Sequence, residues 1–428
     1  MPPAPLSLLQ RLERQPVLRV RRGTEQLEDP RDAVRTFVDA LQAVRFAPGE
    51  RLGVMLPNGP GFVTALLACL ELRGTFVPFP TGLEGAEQRR RLELAQVQVT
   101  LEDGVRVTRI STRTTADLGP SVVLFTSGST AGARAVVLSE RALLHVVDTH
   151  RPVLGEGSAG QVLGFLSWTH AFGFTLELLL GLLDGATLTT VAPAHFPQRL
   201  EEDPPDRIFT VPRMIERIAP AVLQRLGAGG VIGGAPVRGA VRMRVMRTQL
   251  RVGYGQTELA PGITLGGAGE WPCDDFLGFP VGCELELRPE HDEHALYVRG
   301  ASLGLGYLDG PRLTPLVGDD GWRATDDLVQ ALEGGGLVFR GRRDERFKLD
   351  NGRMLNPTPY EVLYDGRVLL VPTKDGVQPL TRGPPPERFT LPFPHLPPRE
   401  MPEPFWTAST TATGKISRRL AQRLFESA

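Results

Sequence analysis

Apolar residues along the chain recur with two periods, and the switches between them mark out elements. From Asp32, the positions Val34, Phe37, Val38 and Leu41 fall on one face of a helix. Pro48-Gly49-Glu50 makes a turn, and Arg51-Leu52-Gly53-Val54-Met55-Leu56 reads as a strand ended by Pro57-Asn58-Gly59. A second helix carries Phe62, Val63, Leu66, Leu67 and Leu70, and Thr75-Phe76-Val77-Pro78 is another strand. Strand, helix, strand in that order predicts a βαβ unit and a largely parallel sheet. Val122-Val123-Leu124-Phe125 and Ala135-Val136-Val137-Leu138 are short apolar runs of the buried-strand kind, and a helix follows over residues 141–147. Ile208-Phe209-Thr210-Val211-Pro212 reads as a strand into a turn, and Val231-Ile232 as a strand opening onto glycines. Residues 1–30 read as irregular and Arg-rich, with weak strand character at Val17-Leu18-Arg19-Val20. The longest apolar run, over residues 174–183, is about half of what spans a bilayer.

Composition narrows the classes. A chain of 428 residues predicts two or more domains. A formal charge of −1 points neither to nucleic acid nor to an anionic membrane. Of 48 basic residues only Lys348, Lys374 and Lys415 are lysines, so a lysine retained in such a chain draws attention. Cys69, Cys273 and Cys283 form no C-x-x-C pair, so neither a disulfide framework nor a zinc site is expected. Met1-Pro2-Pro3-Ala4-Pro5-Leu6 lacks the basic start and apolar core of a secretory signal. The expected setting is the cytoplasm, with no membrane span.

Two stretches carry chemistry. Between the strands at 122–125 and 135–138 runs Thr126-Ser127-Gly128-Ser129-Thr130-Ala131-Gly132-Ala133-Arg134. Small residues let backbone N–H groups approach an anion, hydroxyls add donors, and a guanidinium can meet two oxygens at once. The G-x-x-x-x-G-K-[ST] spacing is absent, so this is a different kind of phosphate loop, and taken alone it also fits a plain Ser/Gly-rich turn. The second stretch is Val252-Gly253-Tyr254-Gly255-Gln256-Thr257-Glu258. Its ring can cover a base, its Thr hydroxyl can reach a phosphate, and one carboxylate suffices for Mg²⁺, whose other ligands are commonly phosphates and water.

The first stretch resembles the [YF]-T-S-G-[ST]-T-G-x-P-K-G motif of the adenylate-forming superfamily, which includes acyl- and aryl-CoA synthetases and peptide-synthetase adenylation domains. The second matches that superfamily's Y-G-x-T-E. Others follow in order. Ser167-Trp168-Thr169-His170-Ala171-Phe172-Gly173 is similar to P-x-x-H-x-x-G, with Ser167 in place of Pro. Gly233-Gly234-Ala235-Pro236 resembles the strip that borders adenine and the acyl chain. Leu296-Tyr297-Val298-Arg299-Gly300 and Gly304-Leu305-Gly306-Tyr307 resemble a further motif. Gly321-Trp322-Arg323-Ala324-Thr325-Asp326-Asp327-Leu328 resembles G-W-x-x-T-G-D-L. Gly341-Arg342-Arg343-Asp344-Glu345-Arg346-Phe347-Lys348 resembles the motif that joins the two domains. Thr411-Ala412-Thr413-Gly414-Lys415-Ile416-Ser417-Arg418-Arg419 matches the closing T-x-x-G-K-[IV]-x-R-R.

The resemblance implies an α/β fold. It implies a large N-terminal AMP-binding domain over residues 1–341 and a small, mobile α+β domain over 342–428. The small domain is abbreviated, and its proline-rich stretch at 383–404 is unsuited to a long helix. The implied activity is ATP-dependent activation of a carboxylic acid as an acyl adenylate, followed by transfer to a thiol, usually CoA. ATP or AMP would lie against Thr126, Ser127, Gly128, Ser129, Thr130 and Arg134, against Gly234, Ala235, Pro236, Tyr254 and Gly255, and against Asp327 at the ribose and Arg342. Glu258, with Thr130, would hold Mg²⁺. Thr257 would reach the α-phosphate, His170 would help wall the acyl pocket, and Lys415 would be the catalytic lysine. Rotation about Asp344 would withdraw Lys415, and Gly352 stands where the pantetheine arm passes. Two other readings stay open: an enzyme that loads an acyl or peptidyl carrier protein, and a degenerate, non-catalytic binder. Three departures feed the latter: Ala131 for Gly, Arg134 for Lys, and Asp326 for Gly. The identity of the acid is not legible.

Overall fold

Parallel strands and the helices between them dominate the first two-thirds of the chain. The computed structural model describes residues 5–83, 85–102, 104–113, 115–126, 133–155, 160–226, 230–349, 351–364, 367–410 and 416–427. It divides into two compact units, the first made of Met1–Thr126, Arg134–Glu284 and Arg299–Arg323, the second chiefly of Leu285–Val298 and Ala324–Ala428.

The first unit holds two sheets. In one, the strands Arg19–Arg22, Thr187–Thr190, Gln161–Gly164, Arg207–Thr210, Val231–Ile232 and Arg251–Gly255 lie side by side in that order, all parallel. Gly262–Leu265 and Phe276–Pro280 extend it antiparallel. In the other, Ser121–Phe125, Thr75–Pro78, Arg51–Met55 and Val99–Glu102 are parallel, as the βαβ pattern predicts. Ala135–Ser139 returns antiparallel beside Ser121–Phe125, and Gly306–Asp309 pairs onto it in turn.

The helix Pro60–Glu71 buries every residue from Phe62 to Leu70. Its composition is apolar on all sides, which demands cover on all sides. The Phe62 ring meets Phe76 of one sheet edge-on at 5.4 Å, and Trp168 and Phe174 at 5.5 and 6.5 Å. One apolar cluster thus joins residues of both sheets to this helix.

Two elements differ from the sequence expectation. The N-terminal segment is not wholly irregular: Leu8–Glu13 is a helix, begun by a capping box in which Ser7 accepts from the Gln10 N–H and Gln10 reaches back to Ser7. The helix expected over 141–147 runs from Glu140 to Leu154. Its apolar stripe continues through His150 and Leu154, both buried, beyond the part read from periodicity.

The second unit carries the hairpin pair Arg323–Ala331 and Leu337–Arg342, then Val368–Thr373 and Gly376–Arg382 with Arg399–Met401 beside them. Alternation sorts the strand Val368–Thr373 onto two small cores. Leu369 and Val371 pack with Leu380, Met401, Trp406 and Ala421, while Val368 and Leu370 pack with Leu355 and Val377. Between Arg382 and Glu403 no helix forms among the described residues.

Candidate functional site

In a parallel sheet the carboxyl ends of the strands all open on one side, and ligands bind there. Four adjacent strands of the first unit end in the motif residues. Gln161–Gly164 runs into the His170 stretch, Arg207–Thr210 into Val211-Pro212, Val231–Ile232 into residues 233–236, and Arg251–Gly255 into Thr257 and Glu258. Packing ties the neighbours together. A Cβ on Gly233 would lie 3.2 Å from the Phe172 ring, and Phe172 stands edge-on to Phe209 at 6.1 Å. Gly234 has φ +80°, open to glycine and costly for other residues. Gly255 has no room for a side chain, since a Cβ there would fall 1.4 Å from the Pro261 carbonyl oxygen. His170 is largely buried, and burial, with Arg91 nearby, holds its pKa below the ordinary value.

Glu258 is the focus of this edge. Its side chain is only 7% exposed. One carboxylate oxygen, Oε1, accepts from the Tyr307 hydroxyl at 2.5 Å and from Arg134 Nη2 at 3.3 Å, with Arg323 Nη2 at 3.5 Å. Arg323 also donates to the Tyr307 oxygen at 2.8 Å. The Arg134 guanidinium lies over the Tyr307 ring, 4.2 Å from its centre, a cation–π contact. Burial, reinforced by Glu258, pushes the Tyr307 phenol up to about 12, so it stays a donor. The base of the candidate phosphate loop is closed by Thr126 N–H to the Arg134 carbonyl at 2.9 Å and by Arg134 N–H to Thr126 Oγ1 at 3.3 Å. Ser127, Gly128, Ser129 and Thr130 lie outside the described residues, as does Lys415.

Tyr307 and Arg323 were given no role from the sequence. The signal was there in kind, an aromatic in Gly-Leu-Gly-Tyr and a cation in Gly-Trp-Arg. Their convergence on Glu258 depends on Gly306–Asp309 pairing with Ala135–Ser139, which puts Tyr307 opposite Val136.

The geometry suits a magnesium ion. Among the described residues the three donors all address Oε1, so Oε2 of this buried carboxylate keeps lone pairs that a hard cation could use. Among the described residues no three His, Cys, Asp or Glu side chains converge, so such a cation would take its other ligands from phosphate and water.

The second unit holds its own set. Asp327 is buried and sits opposite Arg342 in the strand register. Arg342 donates from Nη1 to Asp327 at 3.1 Å and from Nε to Asp344 at 2.9 Å. Burial opposes the charge of Arg342, but the two carboxylates outweigh it and raise its pKa. Thr325 fixes the bend by donating to the Leu296 carbonyl at 2.9 Å and accepting from the Asp327 N–H at 3.2 Å. Asp326 has φ +64°, the left-handed conformation that glycine adopts freely and Asp tolerates better than most. Gly352 sits in a turn at φ +83°, its N–H bonded to the Leu349 carbonyl at 2.8 Å.

Comparison with known proteins follows the same lines. Feruloyl-CoA synthase of Amycolatopsis sp. is 25% identical over 373 residues, covering 77% of this chain and 75% of its own. The dapdiamide synthesis protein DdaD of Enterobacter agglomerans is 25% identical over 343 residues, covering 72% of this chain. Phenyloxazoline synthase MbtB of Mycobacterium sp. (strain MCS) is 27% identical over 381 residues, covering 78% of this chain. The chain spans only 58% of DdaD and 32% of MbtB. Among solved structures, ATP-bound MatB from Rhodopseudomonas palustris superposes with a TM-score of 0.81 at 15% identity, over 98% of this chain and 99% of that one. Wild-type E. coli MenE with a bound OSB-AMS analogue does so with 0.73 at 18%, over 96% of each. At these identities the structures establish the fold. The family model described as AMP-binding enzyme matches residues 28–308, so this chain belongs to the AMP-binding enzyme family.

Proposed function

We propose that the chain activates a carboxylic acid with ATP and hands the acyl group to the thiol of CoA. What supports this above all is the cage around Glu258, set at the carboxyl edge of the parallel strands beside the base of the loop at 126–134. In the first half-reaction a carboxylate oxygen attacks the α-phosphorus, the bond to the β-phosphate breaks, and pyrophosphate leaves. In the second the thiol sulfur attacks the acyl carbon, the bond to AMP breaks, and AMP leaves. Tyr254 and residues 233–236 seat the adenine, Thr257 meets the α-phosphate, Arg134 the outer phosphates, and Asp327 and Arg342 the ribose. His170 walls the acyl pocket. Glu258, with Thr130, would hold Mg²⁺, which when bound neutralises charge on the phosphate oxygens. Lys415 supplies the positive charge for the first step. A turn about Asp344, with residues 342–428 moving as a lobe, withdraws it before the thiol enters past Gly352. A cytoplasmic setting agrees with three free cysteines.

A carrier-protein thiol is the second reading. It is favoured by the chain aligning with parts of longer synthases, 32% of MbtB and 10% of surfactin synthase subunit 1. The test is acid-dependent ATP–pyrophosphate exchange over a panel of carboxylic acids, followed by addition of CoA or a phosphopantetheinyl carrier. Exchange with at least one acid is expected. Failure with every acid, together with no binding of ATP and Mg²⁺ at millimolar concentration, would leave a non-catalytic binder.

A further inference from the structure

Asn58 lies in the turn after the strand Arg51–Met55, and the proposed chemistry gives it no role. Its side chain reaches across to the other sheet, to the chain just past the strand Gln161–Gly164. Nδ2 donates to the Leu166 carbonyl at 2.7 Å, and Oδ1 accepts the Trp168 N–H at 3.1 Å. The amide thus meets residues 166 and 168 as a peptide group of a paired strand would. The opposite flip would set oxygen against oxygen, so only this orientation serves. The Asn58 carbonyl also accepts the Thr190 hydroxyl at 3.4 Å.

Glu177 grips the same segment. Its Oε2 accepts the Leu166 N–H at 3.4 Å and its Oε1 the Trp168 indole N–H at 2.9 Å. Both polar groups of the Leu166 backbone are therefore held by side chains, the carbonyl by Asn58 and the N–H by Glu177. Between Leu166 and Trp168, Ser167 starts the turn that bears His170. Its carbonyl accepts the His170 N–H at 3.1 Å, and its hydroxyl accepts the Thr169 N–H at 3.3 Å. The His170 carbonyl takes the Phe174 N–H at 2.8 Å, which leads into the helical stretch Gly173–Leu179 that carries Glu177. A Cβ on Gly173 would fall 2.5 Å from the Ser167 carbonyl oxygen, so the turn and this stretch are in close contact.

We infer that Asn58 is a positioning residue for the acyl-pocket wall, its amide, opposed by Glu177, fixing residues 166–168 and with them the His170 turn. This rests on the reading of His170 as a wall of that pocket. A pocket separates acids one methylene apart by about 10- to 200-fold, and only a wall that does not yield can do so. Asn58 supplies that stiffness from outside the pocket, through two backbone bonds.

The experiment compares the wild-type full chain with Asn58→Ala and Asn58→Asp. The Asp variant keeps the shape and the acceptor for Trp168 but sets a second oxygen against the Leu166 carbonyl. It keeps one bond of the two and serves should the Ala variant fail to fold. Pyrophosphate exchange is read against ATP, against the best acid of a panel and against its homologue one methylene longer. Hydrogen exchange of the amides at 166–174 is read alongside. In Asn58→Ala, KM for the acid should rise about tenfold and the preference between the two acids should shrink about tenfold, with KM for ATP unmoved. Asn58→Asp should fall between it and the wild type. The Trp168 and His170 amides should exchange about tenfold faster while those of Val162 and Leu163 do not. Equal rises in KM for acid and ATP, an unchanged preference between the acids, or unaltered amide exchange in the folded variants would overturn the inference alone. A wild type that exchanges pyrophosphate with no acid would overturn the proposed function, and this inference with it.

Discussion

Glu177 lies in the helical stretch Gly173–Leu179, wholly buried, with the Trp168 indole N–H at 2.9 Å and the Leu166 N–H at 3.4 Å as its donors. Glu258 lies at the end of a strand, almost as buried, with two guanidiniums and a phenol around one oxygen. The same side chain serves opposite ends. Burial, only partly offset by its N–H donors, pushes the Glu177 carboxyl from 4.5 up to about 8, so near neutral pH it is a proton-bearing strut. It fills the space that Gly164 leaves, where a Cβ would meet its Oε1 at 2.2 Å. Around Glu258 two guanidiniums offset the cost of burying the carboxylate, and among the described residues no donor addresses Oε2, so a lone pair there is left for a further ligand. Burial alone therefore does not mark a functional carboxylate; the charges around it and the lone pairs it keeps do.

The largest effect on that contrast should come from Gly255→Ala. The added methyl has the Pro261 carbonyl in its place, so the turn into Glu258 must shift, costing more than about 2 kcal/mol. A denaturant melt measures it, and a loss within error of zero would mean the turn is slack. Glu177→Gln probes the other acid. In the wild type the folded state holds a proton that the unfolded chain releases above 4.5, so stability should fall as pH rises from there to about 8. The variant lacks that slope and should be the more stable protein at pH 9, by about 1–3 kcal/mol. Parallel stability–pH curves for the two proteins would show that Glu177 is charged after all.

Legibility in the sequence followed distance along the chain. Glu258 could be found because Tyr254, Gly255 and Thr257 accompany it within five residues, and the loop from Thr126 to Arg134 because two apolar strands bracket it. Its partners Tyr307 and Arg323 lie 49 and 65 residues on, brought in by a strand pairing that no local pattern announces. Glu177 was hidden inside the apolar run at 174–183, where a lone acid was itself the clue: a charge that cannot be solvated there must be neutral or paired. The partners of Arg418, Glu361 and Glu345, are 57 and 73 residues away, so the closing motif marked the arginine without showing what it holds.

Smaller effects sharpen the Glu258 side. Arg134→Lys keeps a cation over the Tyr307 ring and beside Glu258, so kcat/KM for ATP should stay within about tenfold, or ~1.4 kcal/mol. Arg134→Ala should chiefly raise KM for ATP. A collapse of activity in Arg134→Lys alone would mean that the fork, and not the charge, is required. Asp326→Gly should be the mildest change, stabilising by less than about 1 kcal/mol because φ is already left-handed there. A destabilisation in the melt would assign the Asp326 side chain a bond that outweighs its backbone.

The most direct measurement is acid-dependent ATP–pyrophosphate exchange in the presence of Mg²⁺, wild type against Glu258→Gln. The amide keeps the shape and the Tyr307 bond but gives up the negative charge. The wild type should exchange, and the variant should do so about 10²–10³-fold more slowly while melting as a folded protein. Exchange by Glu258→Gln at close to the wild-type rate would contradict the claim that this caged carboxylate is the centre of the site.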